Sequence, residues 1–120
     1  MLNLDTHILL YAVAGDLTPA ESRALRKDQW SISAIVWWEI AKLAQLGRIA
    51  VDLDDPAVTK VLSSLRIWPI TTEIAKQSAR LDVRSDPADE LIAATSVVHK
   101  LPLITRDRIL KRSRIIPFAR

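Results

Sequence analysis

The segment DPADELIAATSVVHKLPLITRD, residues 86–107, constrains the fold more than any other stretch. Its helix-forming part, ELIAATSVVHK, is apolar on nearly all sides, and such a helix must be covered all round. Asp86 takes the N-cap position, Pro87 the first helical position, and Asp89 the first turn. LPLIT then reads as a short apolar strand. A deeply buried helix feeding a strand belongs to an α/β domain.

The rest of the chain keeps that alternation. MLNLD reads as a first strand and THILLYAVAG as a helix. Thr18, Pro19 and Glu21 form a capping box that opens a helix to about Lys27. QWSIS is a second strand. Ser33 caps the helix IVWWEIAKLAQLG, which Gly47 ends. Asp54 or Asp55, with Pro56, starts a helix through about Leu65. IWPI is a third strand, where Pro69 indicates a sheet edge. Thr71 or Thr72 begins a helix to about Asp82. RDRILKR reads as a last short helix and IIPF as a closing strand. Residues 1–120 form a single domain with a largely parallel sheet, and a chain of this length buries a genuine core.

Composition narrows the class. Apolar residues are 49% and glycines only two, so the chain is not a disordered one. With no cysteine, thiolate chemistry and disulfides are excluded. The N-terminal MLNLDTHILLYAVAG lacks the basic start of a secretory signal and is interrupted by Asp5 and His7. No apolar run reaches the roughly 18 residues of a membrane span. A cytoplasmic protein without membrane contact is expected.

Ligands of parallel α/β sheets gather at the carboxyl ends of the strands. Asp5 closes the first strand, Asp107 follows LPLIT, and Asp89 opens the helix before that strand. Glu39 lies within a helix, flanked by Trp38 and Ile40. Each has a plainer reading: Asp86 and Asp107 as helix caps, Asp89 favouring the helix dipole, Glu39 paired with Lys42 or Arg48. Asp5 is hardest to explain that way. Converging carboxylates repel unless a cation sits among them, and hard oxygen ligands select Mg²⁺ or Mn²⁺. Such an ion lowers the pKa of a bound water and steadies a phosphate under in-line attack. The end of the chain is basic, with Arg106, Arg108, Lys111, Arg112, Arg114 and Arg120 against Asp107 alone. Acids, ion and basic strip together point to hydrolysis of a nucleic-acid phosphodiester.

LDTHILLYA, SAIVWWEIAKLAQLGRI and DPADELIAATSVVHKLPLITRD, in that order, resemble the PIN domain, in particular the VapC-type toxins of toxin–antitoxin systems. The resemblance covers positions 2 to about 112. It implies a three-layer α/β/α sandwich and a Mg²⁺- or Mn²⁺-dependent endoribonuclease. By match to the family's motifs, Asp5, Glu39, Asp89 and Asp107 are the catalytic acids. Asp5 and Asp89 hold the ion, and Glu39 and Asp107 reach it directly or through water. Thr6 and Thr105 match supporting hydrogen-bonding positions, and Asp86 an acid found in part of the family. The ending RIIPFAR departs from the family's usual closing strand with a tryptophan. A homodimer and a cognate antitoxin are implied, with operator DNA contacted only through the antitoxin.

Arg106, Arg108, Lys111 and Arg112 are candidates for RNA phosphates. A metal-free pair, His7 and His99, is the competing chemistry; it requires both imidazoles at one phosphate. Of Trp30, Trp37, Trp38 and Trp68, three are expected in the core, and one of the adjacent pair at a partner surface. A phosphatase of the haloacid-dehalogenase type needs a second aspartate where His7 stands, and a receiver domain needs a lysine where Arg106 stands. The same fold is compatible with a housekeeping RNA-processing nuclease or a non-catalytic binding module.

Overall fold

The computed structural model describes residues 1–119. Among them, strands β1 (Leu2–Leu4), β2 (Trp30–Ser33), β3 (Arg66–Trp68) and β4 (Leu103–Ile104) form one sheet, in the order β3-β2-β1-β4. All its pairings are parallel; Asn3 lies opposite both Ser31 and Leu103. Helices α1 (Thr6–Ala14) and α2 (Pro19–Arg26) join β1 to β2, and α3 (Ile35–Gln45) and α4 (Pro56–Ser63) join β2 to β3. Helices α5 (Thr72–Ser78) and α6 (Pro87–His99) return the chain across β2 and β1 to β4. Parallel connections of this kind are right-handed as a rule and set helices on both faces of the sheet. The result is the expected α/β/α sandwich, and its strand order reverses between β1 and β4.

Local signals explain most of the element boundaries. The Thr18 hydroxyl accepts from the Glu21 amide at 3.2 Å, and the Glu21 carboxylate accepts from the Thr18 amide at 2.9 Å. Asp55 and Thr71, rather than Asp54 and Thr72, cap α4 and α5. Gly15 and Gly47 follow α1 and α3 with φ of +79° and +68°, a region costly for any residue with a Cβ. Pro69 does mark an edge, since β3 is the outer strand.

Other boundaries moved. Ala34, not Ser33, is the N-cap of α3, although the Ser33 hydroxyl still accepts from the Ile35 amide at 3.3 Å. The expected helix RDRILKR contracts to a single 3₁₀ turn, Leu110–Arg112. The expected closing strand IIPF reduces to one parallel bridge, Leu103 to Phe118. Pro117 has no amide to donate, so a longer ladder there is disfavoured.

α6 is the helix the sequence requires to be covered. Ile92, Ala93, Ala94, Thr95 and Ser96 are all buried. Its small residues let it lie close over β1 and β2, where the Asn3 side chain donates to Ile92 O at 3.0 Å and to Ser96 Oγ at 2.8 Å. Leu4, Ile8, Ile32, Val36, Ile92, Leu103 and Leu110 fill the core around it. Fully burying a side chain such as Ile92 contributes about 1.5–3 kcal/mol.

Candidate metal centre

Side chains two apart on a strand share a face. Asn3 ties α6 to the sheet, so Asp5 also faces the α6 side, one residue past the end of β1. Its amide donates to Ile104 O at 3.1 Å, extending the β1–β4 ladder to the point where the strand order reverses. Asp5 is the N-cap residue of α1, yet its carboxylate makes no capping hydrogen bond. Oδ2 accepts from Thr105 Oγ1 at 2.6 Å, and Oδ1 is buried with no partner among the described residues. A buried carboxylate oxygen left free is costly unless something else satisfies it.

Two more acids converge on Asp5. Glu39 points in from α3, and Asp89 from the first turn of α6. One oxygen from each of Asp5, Glu39 and Asp89 lies within 4.8 Å of the others. In octahedral Mg²⁺ coordination, ligand oxygens stand about 3 Å apart when adjacent and about 4.2 Å when opposite. The three acids therefore need only small side-chain adjustments to share one ion of that size. The orphaned Asp5 oxygen and the all-oxygen donor set both fit a hard divalent cation.

The electrostatics agree. Burial raises the pKa of Asp5 and of Glu39, against the hydrogen bonds from Thr105 and Thr6. Asp89 is pushed up to about 7, first by burial and then by the charges of Asp5, Glu39, Asp107 and Asp86.

Glu39 Oε1 accepts from Thr6 Oγ1 at 2.6 Å. Lys42 instead donates to Gln45, so the plainer reading of Glu39 as its partner has no support. Thr6 and Thr105 thus both stand against acids, as the motifs implied. Asp107 sits just outside the trio. Its Oδ1 accepts from the Ile109 and Leu110 amides at 2.8 and 3.1 Å, capping the last turn, while Oδ2 lies 3.4 Å from Ser85 Oγ. Ser85 Oγ lies equally far from Asp89 Oδ2 and so stands between the two acids. Sequence reasoning missed Ser85: a lone serine in a short loop carries no spacing signal. Asp86 holds the N-cap position of α6 in its backbone, but its exposed carboxylate makes no capping bond.

Arg108, Lys111 and Arg112 are exposed on the basic strip. Arg106 is occupied with Glu21. His7 is exposed at the start of α1. His99 stacks on Trp68, centroids 4.1 Å apart, at the opposite end of α6 from Asp89. Ten residues of helix span about 15 Å. His99 is therefore remote from the acids beside His7, and the two-imidazole chemistry has no support. Trp38 is 55% exposed, whereas Trp37 packs against the core.

Residues 3–115 match the family model of the PIN domain. The chain belongs to the PIN-domain family. Within it, the chain is 33% identical over 117 residues to Ribonuclease VapC22 of Mycobacterium tuberculosis, covering 92% of this chain and 90% of that protein. Among solved PIN-like structures, a toxin–antitoxin complex from Klebsiella pneumoniae superposes with a TM-score of 0.67 at 27% identity, covering 89% of this chain and 87% of that one. VapBC2 from Rickettsia felis, bound to a DNA fragment from their promoter, gives 0.74 at 19% identity, covering 98% and 97%. The second likeness speaks for the fold alone.

Proposed function

We propose that this PIN protein is a Mg²⁺- or Mn²⁺-dependent endoribonuclease and the toxin of a toxin–antitoxin pair. The observation that carries the reading is the convergence of Asp5, Glu39 and Asp89, with one Asp5 oxygen buried and without a partner among the described residues. Those three acids would hold the ion directly, and Asp107 through water from its Oδ2 side. When bound, the ion lowers the pKa of a coordinated water and offsets charge on the phosphate under attack. Thr105 orients Asp5, and Thr6 orients Glu39. Glu39, half-buried and raised in pKa, is the group we assign to take the proton from the attacking water. Arg108, Lys111 and Arg112 would meet the RNA phosphates.

The likeness to a ribonuclease and to toxin–antitoxin complexes supports RNA as substrate and an antitoxin as partner. Operator DNA would be contacted only through the antitoxin. Trp38, one residue from Glu39 and exposed, would serve the antitoxin or a second copy in a homodimer. No helix among the described residues is long and apolar enough to cross a membrane, and we place the protein in the cytoplasm.

The test is RNA cleavage by purified protein stripped with EDTA and then resupplied with Mg²⁺ or Mn²⁺. The expected result is loss and recovery of cleavage, products with 5′-phosphate and 3′-hydroxyl ends, and an Asp5→Asn variant slower by orders of magnitude. Cleavage that survives thorough chelation would rule out the metal reading. Binding of RNA without cleavage would favour a non-catalytic module. Mapping RNA ends after brief expression in cells identifies the RNA cut and separates a toxin from a processing enzyme.

A further inference from the structure

Arg106 lies between two residues of the metal centre, Thr105 and Asp107, yet its own side chain turns away from it. Its Nε donates to Glu21 Oε2 at 2.8 Å, and its Nη2 to Glu21 Oε1 at 2.7 Å and to Asp16 O at 3.2 Å. The guanidinium also lies over the Tyr11 ring, 3.8 Å from its centroid. This is the two-pronged arginine–carboxylate geometry, the strongest form of such a pair. Glu21 is itself fixed, because Oε1 accepts from the Thr18 amide in the capping box of α2. The pair holds the Glu21 carboxyl down at about 2, chiefly through the Arg106 hydrogen bonds.

The tie spans a gap. A cleft of about 500 Å³ separates α2 from β4 and the C-terminal segment, lined by Ala20, Ala24, Leu103, Ile104 and Phe118 among others. α2 reaches the core through Leu25, but its Ala20 and Ala24 face that open cleft. Arg106 ties α2 to the loop after β4, whose two neighbouring side chains serve the acids: Thr105 bonds Asp5, and Asp107 shares Ser85 with Asp89.

We infer that Arg106 is a positioning residue, a strut that sets Thr105 and Asp107 for ion binding, and not a contact to RNA. The inference rests on the metal-centre reading above. Its effect on the ion runs through Thr105 and Asp107, and losing such indirect support costs about tenfold in metal affinity.

The test is Mn²⁺ affinity, measured by titration without RNA, together with hydrogen exchange of the Thr105 and Asp107 amides in metal-free protein. Arg106→Ala and Glu21→Gln should each weaken Mn²⁺ binding about tenfold and speed exchange at both amides. Should Arg106→Ala fail to fold, Glu21→Gln carries the test, since glutamine keeps the length needed to accept from Thr18. Arg106→Ala with unchanged Mn²⁺ affinity and a raised KM for RNA would overturn the inference in favour of a substrate contact. So would Glu21→Gln with wild-type affinity and exchange. Each result is a ratio of variant to wild type, so a wild-type protein that binds Mn²⁺ but cuts no RNA would overturn the nuclease reading while the strut stands.

Discussion

Thr105 Oγ1 donates to Asp5 Oδ2 at 2.6 Å across 100 positions of sequence, and the other Asp5 oxygen is buried with no partner among the described residues. That hydroxyl restrains the Asp5 carboxylate, which stands together with Glu39 and Asp89. Thr105→Val keeps the shape and removes the donor. It should lower Mn²⁺ affinity by about 10-fold or more. It should also destabilise the metal-free protein by about 1–3 kcal/mol, the cost of a buried acceptor losing its donor. Denaturant unfolding and a Mn²⁺ titration measure the two effects, and an unchanged affinity contradicts the role given to Thr105.

Asp89 makes the metal-free protein sensitive to pH. Its carboxyl titrates at about 7 in the folded chain, against about 3.9 when unfolded. Between those values the folded state keeps a proton that the unfolded state has released. Stability is therefore fully present near pH 4, falls as pH rises toward 7, and levels off beyond. The raised carboxyls of Asp5 and Glu39 add in the same sense. Glu21, Asp28 and Asp82 are lowered instead, so they act in the opposite sense, chiefly below about pH 5 where their unfolded forms titrate. EDTA-treated protein should melt higher at pH 5 than at pH 8, and saturating Mn²⁺ should shrink or reverse that difference. A metal-free Tm that is equal or higher at pH 8 refutes the assignment.

The same repulsion makes Asp89→Asn an informative variant. It removes one of several crowded charges, so metal-free protein at pH 8 should gain Tm while Mn²⁺ binding and cleavage are lost. Gain of stability with loss of function marks a site built at the fold's expense. A lower Tm at pH 8 would mean that Asp89 stabilises the fold without an ion.

Much of this site was legible in the sequence because its acids sit at positions that local rules identify. Asp5 ends an apolar strand, and Pro87 places Asp89 in the first turn of a helix. Glu39 stood out as a charge in apolar company. The capping box at Thr18 needs only four consecutive residues and was equally readable. What escaped is long-range. Arg106 looked like one more free cation in a basic strip, and its partner Glu21 lies 85 positions away. Ser85 looked like loop filler until Asp107 met it from 22 positions on. The IIPF segment has strand-like composition, but whether it pairs depends on how far β4 extends beside it.

The adjacent tryptophans of α3 separate fold from association. Trp37 is partly buried against the core, so Trp37→Ala should cost about 1–3 kcal/mol. Trp38 is mostly exposed, so Trp38→Ala should change stability by no more than about 0.5 kcal/mol. Its effect should appear in self-association or antitoxin binding, read by sedimentation and by titration with the antitoxin. Loss of folding in both variants would restrict the pair to the core.

The most direct measurement is the Mn²⁺ binding isotherm of metal-stripped wild type beside Asp5→Asn, Glu39→Gln and Asp89→Asn. The wild type should bind saturably, and each variant should bind at least about tenfold more weakly while keeping its circular dichroism spectrum. Isotherms that coincide across all four proteins would mean that these acids do not share an ion.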